Sequence, residues 1–536
     1  TGDDLERHPI NEWRDNYIVE NEDMPQWYPN LFSGMPSYGG YIYMTGDITK
    51  IFRNKVLFNL GMKVWFFLSL AGFGTFFLLK VLGSTITAGV LGGLITGFTP
   101  YSFGLVNAGH LNKIFAMAYV PWVIACYLLL MKRRSLKYVC IMSLITALQL
   151  WANHPQIVYY TWMIIGFHYF WSIILEYKNQ SFNLKAKAYQ LGIILIAVIA
   201  AFFMVSDPYK EIYKFQKHSN RGAKSVLDKT NETADGTDWQ YATQWSFHPK
   251  EIISFVYPYF YGLQNFSSRD LKSAAYWGYM PFTQSTHYLG LVALILASIG
   301  VLIRKPDKTS LFFWIITALI LITGFGSHFP LLYRPFFEIF PFFSKFRIPS
   351  MIYAMLALTI SILAAKGFDV LLSKEVRNKY CLQKVLYVTG GVFIFSLILI
   401  IFSEQLVDFR SPKDGRYNAL ILSQLQSLRN DLFNKGLILA LFLSMSFFAL
   451  YYSYYKNGIT KSLFGYGIIG LVTLDLGVLN NEFINVKPKT KMHNKFLKSP
   501  VIDYLISDTS SFRVFPADEI GSNKYSYWNI ESIGGY

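Results

Sequence analysis

The sequence predicts an all-α polytopic membrane protein, a helical bundle of about twelve spans with its longer loops on one side. Three observations carry that prediction. Of the 536 residues, 53% are apolar or aromatic and 15% are charged, with a mean hydropathy of +0.30; a soluble globular chain carries roughly 25% charged residues. Charge-free apolar stretches of about 18 residues or more, enough to cross a hydrocarbon layer, recur along the chain. The basic residues, 49 against 33 acidic for a net charge of +16, cluster in short connections on one side of the predicted path. In a soluble protein that charge would point to nucleic acid; here it belongs to loops at a membrane surface, and no nucleic-acid partner is expected. Cys126, Cys140 and Cys381 lie in or beside apolar segments, with neither metal-ligand spacing nor a disulfide framework.

Taken in order, the spans fall at about 55–80, 85–104, 113–131, 138–153, 156–175, 188–206, 286–303, 310–325, 349–371, 385–402, 436–454 and 462–479. The connections 132–137, 176–187, 304–308, 374–384 and 456–461 hold 16 basic residues against Glu176, Asp307 and Glu375. All five fall on the same side of the path, which the positive-inside rule makes cytoplasmic. The plan is then 1–54 as a first extracytoplasmic loop, 55–206 as the N-terminal helices, 207–285 as a large extracytoplasmic loop, 286–479 as the C-terminal helices and 480–536 as the start of an extracytoplasmic region. The turns near 105–112 and 153–155 and the segments 326–348 and 403–435 share that outer side. A first segment outside requires export, yet Thr1 follows no start methionine, basic n-region or apolar h-region. A preceding span is therefore expected, and the close at Gly534-Gly535-Tyr536 suggests that more of the outer region follows.

Function is sought on the outer side. Asp3 and Asp4, placed where a preceding span would end, are carboxylates at the membrane surface and candidates for a general base; the acidic residues that follow also read as a solvated loop. The turns Asn107-Ala108-Gly109-His110-Leu111-Asn112-Lys113 and Trp151-Ala152-Asn153-His154-Pro155-Gln156 each set a histidine and amide side chains between closely connected spans. Together with Lys113 they offer a site for an anion, although each histidine alone reads more often as a satisfied interfacial residue. Within 207–285, Arg221 suits a phosphate bidentately, and Trp239, Tyr241 and Trp245 offer flat faces for sugar rings. The aromatic, proline-broken stretch from Gly326 to Pro349 is too irregular for a span and reads as a re-entrant or interfacial element bringing Arg334, Lys345 and Arg347 to headgroup level. Asp475 lies inside the last span, where capping and function are both open. No zinc-type His/Cys pattern occurs.

These loops resemble the YfhO family of bacterial membrane proteins, within the GT-C superfamily of glycosyltransferases. The resemblance rests on Gly2-Asp3-Asp4, Trp27 through Pro36, Ala108 through Lys113, Asn153-His154-Pro155-Gln156, Ser219-Asn220-Arg221-Gly222, Tyr241 through Ser246, Lys345 through Ser350, Phe512-Arg513-Val514 and Ser532 through Tyr536. It spans nearly the whole chain. It implies a GT-C-like fold and an enzyme of the bacterial cytoplasmic membrane that moves a sugar from a polyprenyl-phosphate donor to an outer acceptor: a surface polysaccharide, teichoic acid, lipid or protein. By position it gives the catalytic carboxylate to Asp4, with Asp3 as the neighbouring alternative, in one inverting displacement. It gives the donor phosphate to His110, Lys113, His154, Arg221 and Arg347, with Asn107, Asn153, Gln156, Trp239, Tyr241 and Trp245 lining the substrate. A divalent metal, Mg or Mn, serves some members of that superfamily and stays open here. Two other classes stand beside this one: a lipid-linked sugar flippase or transporter, and a noncatalytic scaffold subunit. The polar clusters sit on the outer loops and no internal repeat is visible, which weighs against transport.

Overall fold

The computed structural model describes residues 2–37, 49, 51–216, 218–219, 237–263, 271–283, 285–373, 377–484, 486 and 494–536, with only the main chain at positions 2–4, 208 and 404. It is 74% helical, and a two-stranded pairing of β1 (Trp27–Tyr28) with β2 (Met35–Pro36) is the one sheet among the described residues. The helices run α1 (Gly2–Asn21), α2 (Leu60–Val81), α3 (Ile86–Gly97), α4 (Pro100–Ala108), α5 (Leu111–Arg133), α6 (Leu136–Trp151), α7 (Pro155–Lys178), α8 (Leu184–Met204), α9 (Ser206–Gln216) and α10 (Trp239–Thr243). They continue as α11 (Leu291–Ile303), α12 (Lys308–Gly324), α13 (Pro330–Ile339), α14 (Leu356–Leu372), α15 (Lys379–Ile401), α16 (Ser403–Leu406), α17 (Ala419–Tyr455), α18 (Lys461–Phe483) and α19 (Pro500–Ser507).

Nine stretches among the described residues are helical, apolar and long enough to cross a membrane: α2, α3 with α4 (Ile86–Ala108), α5, α7, α8, the Pro349–Met355 turn with α14, α15, α17 and α18. The shorter apolar helices α6, α11 and α12 stand at the other positions where spans are predicted. The chain is a multi-pass, all-α membrane protein. Its helices start where a short polar side chain can serve the first main-chain N–H groups: Asn59, Thr85, Asn183, Asp307, Asn378, Asn418 and Thr460 each accept from the residue three positions on. Small residues let the helices approach closely. A Cβ on Gly72 would lie 2.9 Å from the carbonyl oxygen of Gly93, joining α2 to α3; one on Gly367 would lie 2.0 Å from that of Leu296, joining α14 to α11.

Contacts among the connections define two ends. At one, Lys132 and Lys366 donate to the carbonyls of Val81 and Leu82, and Asp369 accepts from the Thr85 hydroxyl. There too Trp171 donates to the carbonyl of Lys308, and Arg377 to that of Tyr454. The basic loops thus share one end. At the other end gather the turns at 109–110 and 152–154, the described residues 237–263, 271–283 and 285–290, and the segment 325–349.

The structure departs from the sequence reading in three places. The first segment opens as a 20-residue helix, because Ile10 and Trp13 find a surface to bury against: Trp13 Nε1 donates to Asn529 at 2.7 Å, and Asn523 donates through its main chain to Glu6 at 2.9 Å. Most of 403–435 is also helical, in α16 and the first part of α17. At about 1.5 Å per residue the 37-residue α17 is about 55 Å long, against a hydrocarbon core of about 30 Å. Its extension is held by Arg429, 1% exposed, which forks onto Asp414 at 2.6 and 3.0 Å and reaches the carbonyls of Ala274, Ala275 and Phe409. Finally, α11 begins at Leu291 rather than near 286. Asp475, fully buried, accepts from Val292 N at 2.9 Å and the Tyr288 hydroxyl at 2.5 Å, while that hydroxyl accepts from Leu291 N. The start of α11 therefore keeps its N–H groups paired inside the bundle, and Asp475 serves as a cap.

Candidate functional site

The strongest convergence of polar groups with aromatic rings lies at the end opposite the basic loops, around Arg347. Its guanidinium sits 5.1 Å from the Tyr241 ring centroid and 5.7 Å from that of Trp245, and it donates to the Tyr241 hydroxyl. Each such cation–ring contact contributes about 0.5–1 kcal/mol at an exposed site and more where water is excluded. The main chain locks the same strands together: Ile348 N donates to Ala242 O at 2.9 Å, and Thr237 N and Oγ1 both donate to Ser344 O. Ile348 has φ +64°, a costly conformation for a β-branched residue. Strain of about 1–3 kcal/mol of this kind persists where surrounding contacts over-determine the backbone, as at binding sites.

The turn ahead of α7 joins this cluster. Asn153 takes φ +53°, His154 precedes Pro155 at the helix start, and Gln156 is buried. Gln156 Nε2 donates to Arg347 O at 2.8 Å and to the Tyr160 hydroxyl at 2.7 Å. One turn deeper along α7, Tyr160 lines an apolar crevice with Ile164, Phe167, Ile320, Phe336 and Met355. Tyr159 closes the rim by donating to Pro341 O at 2.9 Å and packing on Phe346. Gln156 thus joins the Arg347 main chain to the residue, Tyr160, that lines this small apolar crevice between α7, α12 and α13.

Two serines clamp the neighbouring turns. Ser246 Oγ accepts from Ser327 N at 2.9 Å and lies 3.1 Å from Ser327 Oγ; Phe247 N donates to Gly324 O at 3.0 Å. Gly326 between them has φ +50°, and a Cβ there would come within 2.2 Å of Ser246 Oγ and 2.6 Å of Pro349. Just outside this clamp the His248 ring stacks on Tyr279, centroids 3.9 Å apart, and meets His328 edge-on at 4.8 Å. Burial, then the neighbouring His328 and Lys250, push His248 below the usual imidazole range, and burial does the same to His328. Beneath them Glu251, 2% exposed, accepts from the Tyr276 hydroxyl and from Tyr279 N, both at 2.9 Å. Burial raises its carboxyl above the usual range; those hydrogen bonds and Lys413 only partly offset this.

The second predicted turn lies on the same end. Gly109 ends α4 with φ +93°, His110 directly precedes α5, and Lys113 is 6% exposed. Lys113 is in electrostatic reach of His287, which stacks on Tyr101 and meets Phe247 edge-on, the residue beside Ser246. Helix α1 packs on α4, whose last turn carries Asn107. The first segment also meets the tail: Phe32 N donates to Gly534 O and Ser33 N to Ser532 O. Two segments named for the family resemblance, Trp27 through Pro36 and Ser532 through Tyr536, are thus in direct contact.

Of the residues singled out from sequence, the structure brings Arg347, Tyr241, Trp245 and Gln156 together, with Asn153 and His154 in the same turn as Gln156. Asn107, His110 and Lys113 form a second group. Trp239 stands apart, packed edge-on against Tyr333 and Phe337 with Arg334 over its ring. The side chains of Asp3 and Asp4 and all of Arg221 lie outside the described residues. Sequence reading missed the clamp and the histidine pair. The signal was there: Ser246-Phe247-His248 and Gly326-Ser327-His328 each place a serine beside or near a histidine in separate loops. Glu251 carried no signal, since burial alone sets it apart from its charged neighbours. Among the described residues no group of three or more His, Cys, Asp or Glu is arranged to hold a metal ion. No family model matches the chain, and neither the curated proteins nor the solved structures compared with it yield a match.

Proposed function

We propose that the chain is a GT-C-type glycosyltransferase of twelve or more spans in the bacterial cytoplasmic membrane. It takes a sugar from a polyprenyl-phosphate donor and places it on an extracytoplasmic acceptor. The observation that supports this reading is the Arg347 guanidinium held by Tyr241 and Trp245 at the end opposite the basic loops, with its main-chain carbonyl tied to Gln156 at the start of the apolar helix α7. A lipid phosphate needs a cation at headgroup depth, and a prenyl chain needs an apolar path below it. In the reaction proposed, the acceptor oxygen attacks the anomeric carbon as the bond to the lipid phosphate breaks. A carboxylate, Asp4 by position, takes the acceptor proton, and Arg347 stabilises the charge left on the phosphate. His110, Lys113 and His154 add positive or donating groups on the same end.

A buried polar chain nearer the basic end favours a second reading. Lys187, 4% exposed, pairs with Glu176 at 2.7 Å and donates to Ser172, while His168 meets the Tyr127 hydroxyl at 3.1 Å. Lys187 and Glu176 belong to the basic end, but His168 lies inside the α7 span, and an ionisable group at that depth suits a lipid-linked sugar flippase. Reconstitution into vesicles with labelled polyprenyl-phosphate sugars and extracted surface polymer separates the readings. Label appearing in polymer supports transfer, label crossing the bilayer without transfer supports the flippase, and neither supports the scaffold subunit.

A further inference from the structure

We propose that His248 and His328 form a pH-sensitive latch on the loops that carry Arg347: neutral, the two rings let the turns at 246–248 and 326–328 stay closed; charged, they part them. The two rings face each other 4.8 Å apart at the outer edge of the Ser246–Ser327 clamp. The clamp is continuous with the candidate site on both strands. Trp245, directly before Ser246, accepts Ser350 N through its carbonyl and lies under the Arg347 guanidinium; Pro349 lies against Gly326. Parting the turns therefore removes the support behind Trp245 and Pro349, the two residues that flank the Arg347 segment.

His248 is poised to respond because its neutral form is built into the turn. Its Nδ1 accepts from Lys250 N at 3.2 Å, capping the Pro249–Phe255 turn. A proton on Nδ1 removes that acceptor and sets a cation against Lys250 and His328. The titratable and charged groups around it are His328 on the facing turn, Tyr279 beneath its ring, and Lys250 and Glu251 on its own turn; the Glu251 carboxylate is turned away to Tyr276 and Tyr279 N. No carboxylate among these is placed to compensate the imidazolium. Both histidines titrate below the ordinary 6.5 in the closed form, so closure is fully favoured above that value and is lost as pH falls through the lower, folded-state values. Closure of these loops does not depend on the chemistry that the site performs.

Hydrogen–deuterium exchange on the full chain in lipid nanodiscs tests it, at pH 7.5 and 5.0, with labelling times scaled to the intrinsic exchange rate. Peptides covering 242–256 and 324–349 are expected to exchange several-fold faster at the lower pH, while α5 and α14 stay unchanged. In the His248→Gln/His328→Gln protein that acceleration should disappear. His328→Gln alone leaves the Lys250 cap in place and should reduce the acceleration without abolishing it. Equal protection of wild type at both values overturns the latch, as does an acceleration that survives in the double variant.

Discussion

Gln156 Nε2 donates to the main-chain carbonyl of Arg347 at 2.8 Å, joining positions 191 residues apart. This bond ties the turn before α7 to the segment between α13 and α14. It holds the base of the Arg347 side chain while Tyr241 and Trp245 hold its head.

Replacing Gln156 by Leu should therefore act on the site from below. It removes donors to Arg347 O and Tyr160 Oη and leaves a buried carbonyl without its partner, a loss of about 1–3 kcal/mol. Thermal unfolding in detergent should report that loss, and affinity for a polyprenyl phosphate should fall with it. An unchanged midpoint and affinity would detach Gln156 from the site.

Gly326→Ala tests the clamp. The substitution sets a side chain at φ +50° and 2.2 Å from Ser246 Oγ; the left-handed conformation alone costs about 1–2 kcal/mol. Exchange protection of 242–256 should drop while that of the transmembrane helices is kept. A variant as protected as wild type would mean that the two turns are not closed in the membrane.

The buried pair of Arg429 and Asp414 predicts an asymmetric pair of outcomes. Arg429→Met leaves Asp414 buried without its cation, and such single removals cost about 3–5 kcal/mol. Arg429→Met with Asp414→Leu should recover much of that loss, because an apolar replacement of both partners carries no desolvated charge. Chemical denaturation of the three proteins decides it; a double variant no more stable than the single one would show that the bonds from Arg429 to Ala274, Ala275 and Phe409 matter more than the charge pair.

Glu251 makes a pH prediction. Burial raises its folded-state value above the ordinary 4.5, so the folded state holds the proton more tightly than the unfolded chain. Its contribution is fully present below about 4.5 and is lost as pH rises through the folded value. Glu251→Gln, which keeps an acceptor for Tyr279 N, should flatten stability between pH 4.5 and neutrality and equal or exceed wild type at pH 7. A slope unchanged from wild type would assign that dependence to other groups.

The membrane class was legible because hydropathy and loop charge are properties of local sequence. All twelve apolar segments are helical, though α6, α11 and α12 are short, since length along an apolar run does not say where the main chain leaves the helix. The late start of α11 depends on Asp475, 183 residues from Val292, and a partner that distant leaves no local mark. The first segment and 419–435 read as loops because their apolar residues are sparse; Trp13 and Arg429 become interior only when the tail and 407–414 pack on them. Site legibility divides the same way. Arg347, Gln156, Tyr241 and Trp245 stood out as polar or aromatic groups in loops, and the structure gathers them. Trp239 carried the same signature and meets Tyr333, Phe337 and Arg334 instead of Arg347, and the Ser246–Ser327 clamp exists only through the pairing of two turns.

Single-turnover sugar transfer in proteoliposomes, comparing wild type with Arg347→Ala, measures whether Arg347 stabilises the departing phosphate. The wild type should transfer, and the folded, inserted variant should lose about 10²-fold or more, the scale on which removing one preorganised donor to a departing oxyanion is felt. Transfer at the wild-type rate by Arg347→Ala would remove Arg347 from the reaction.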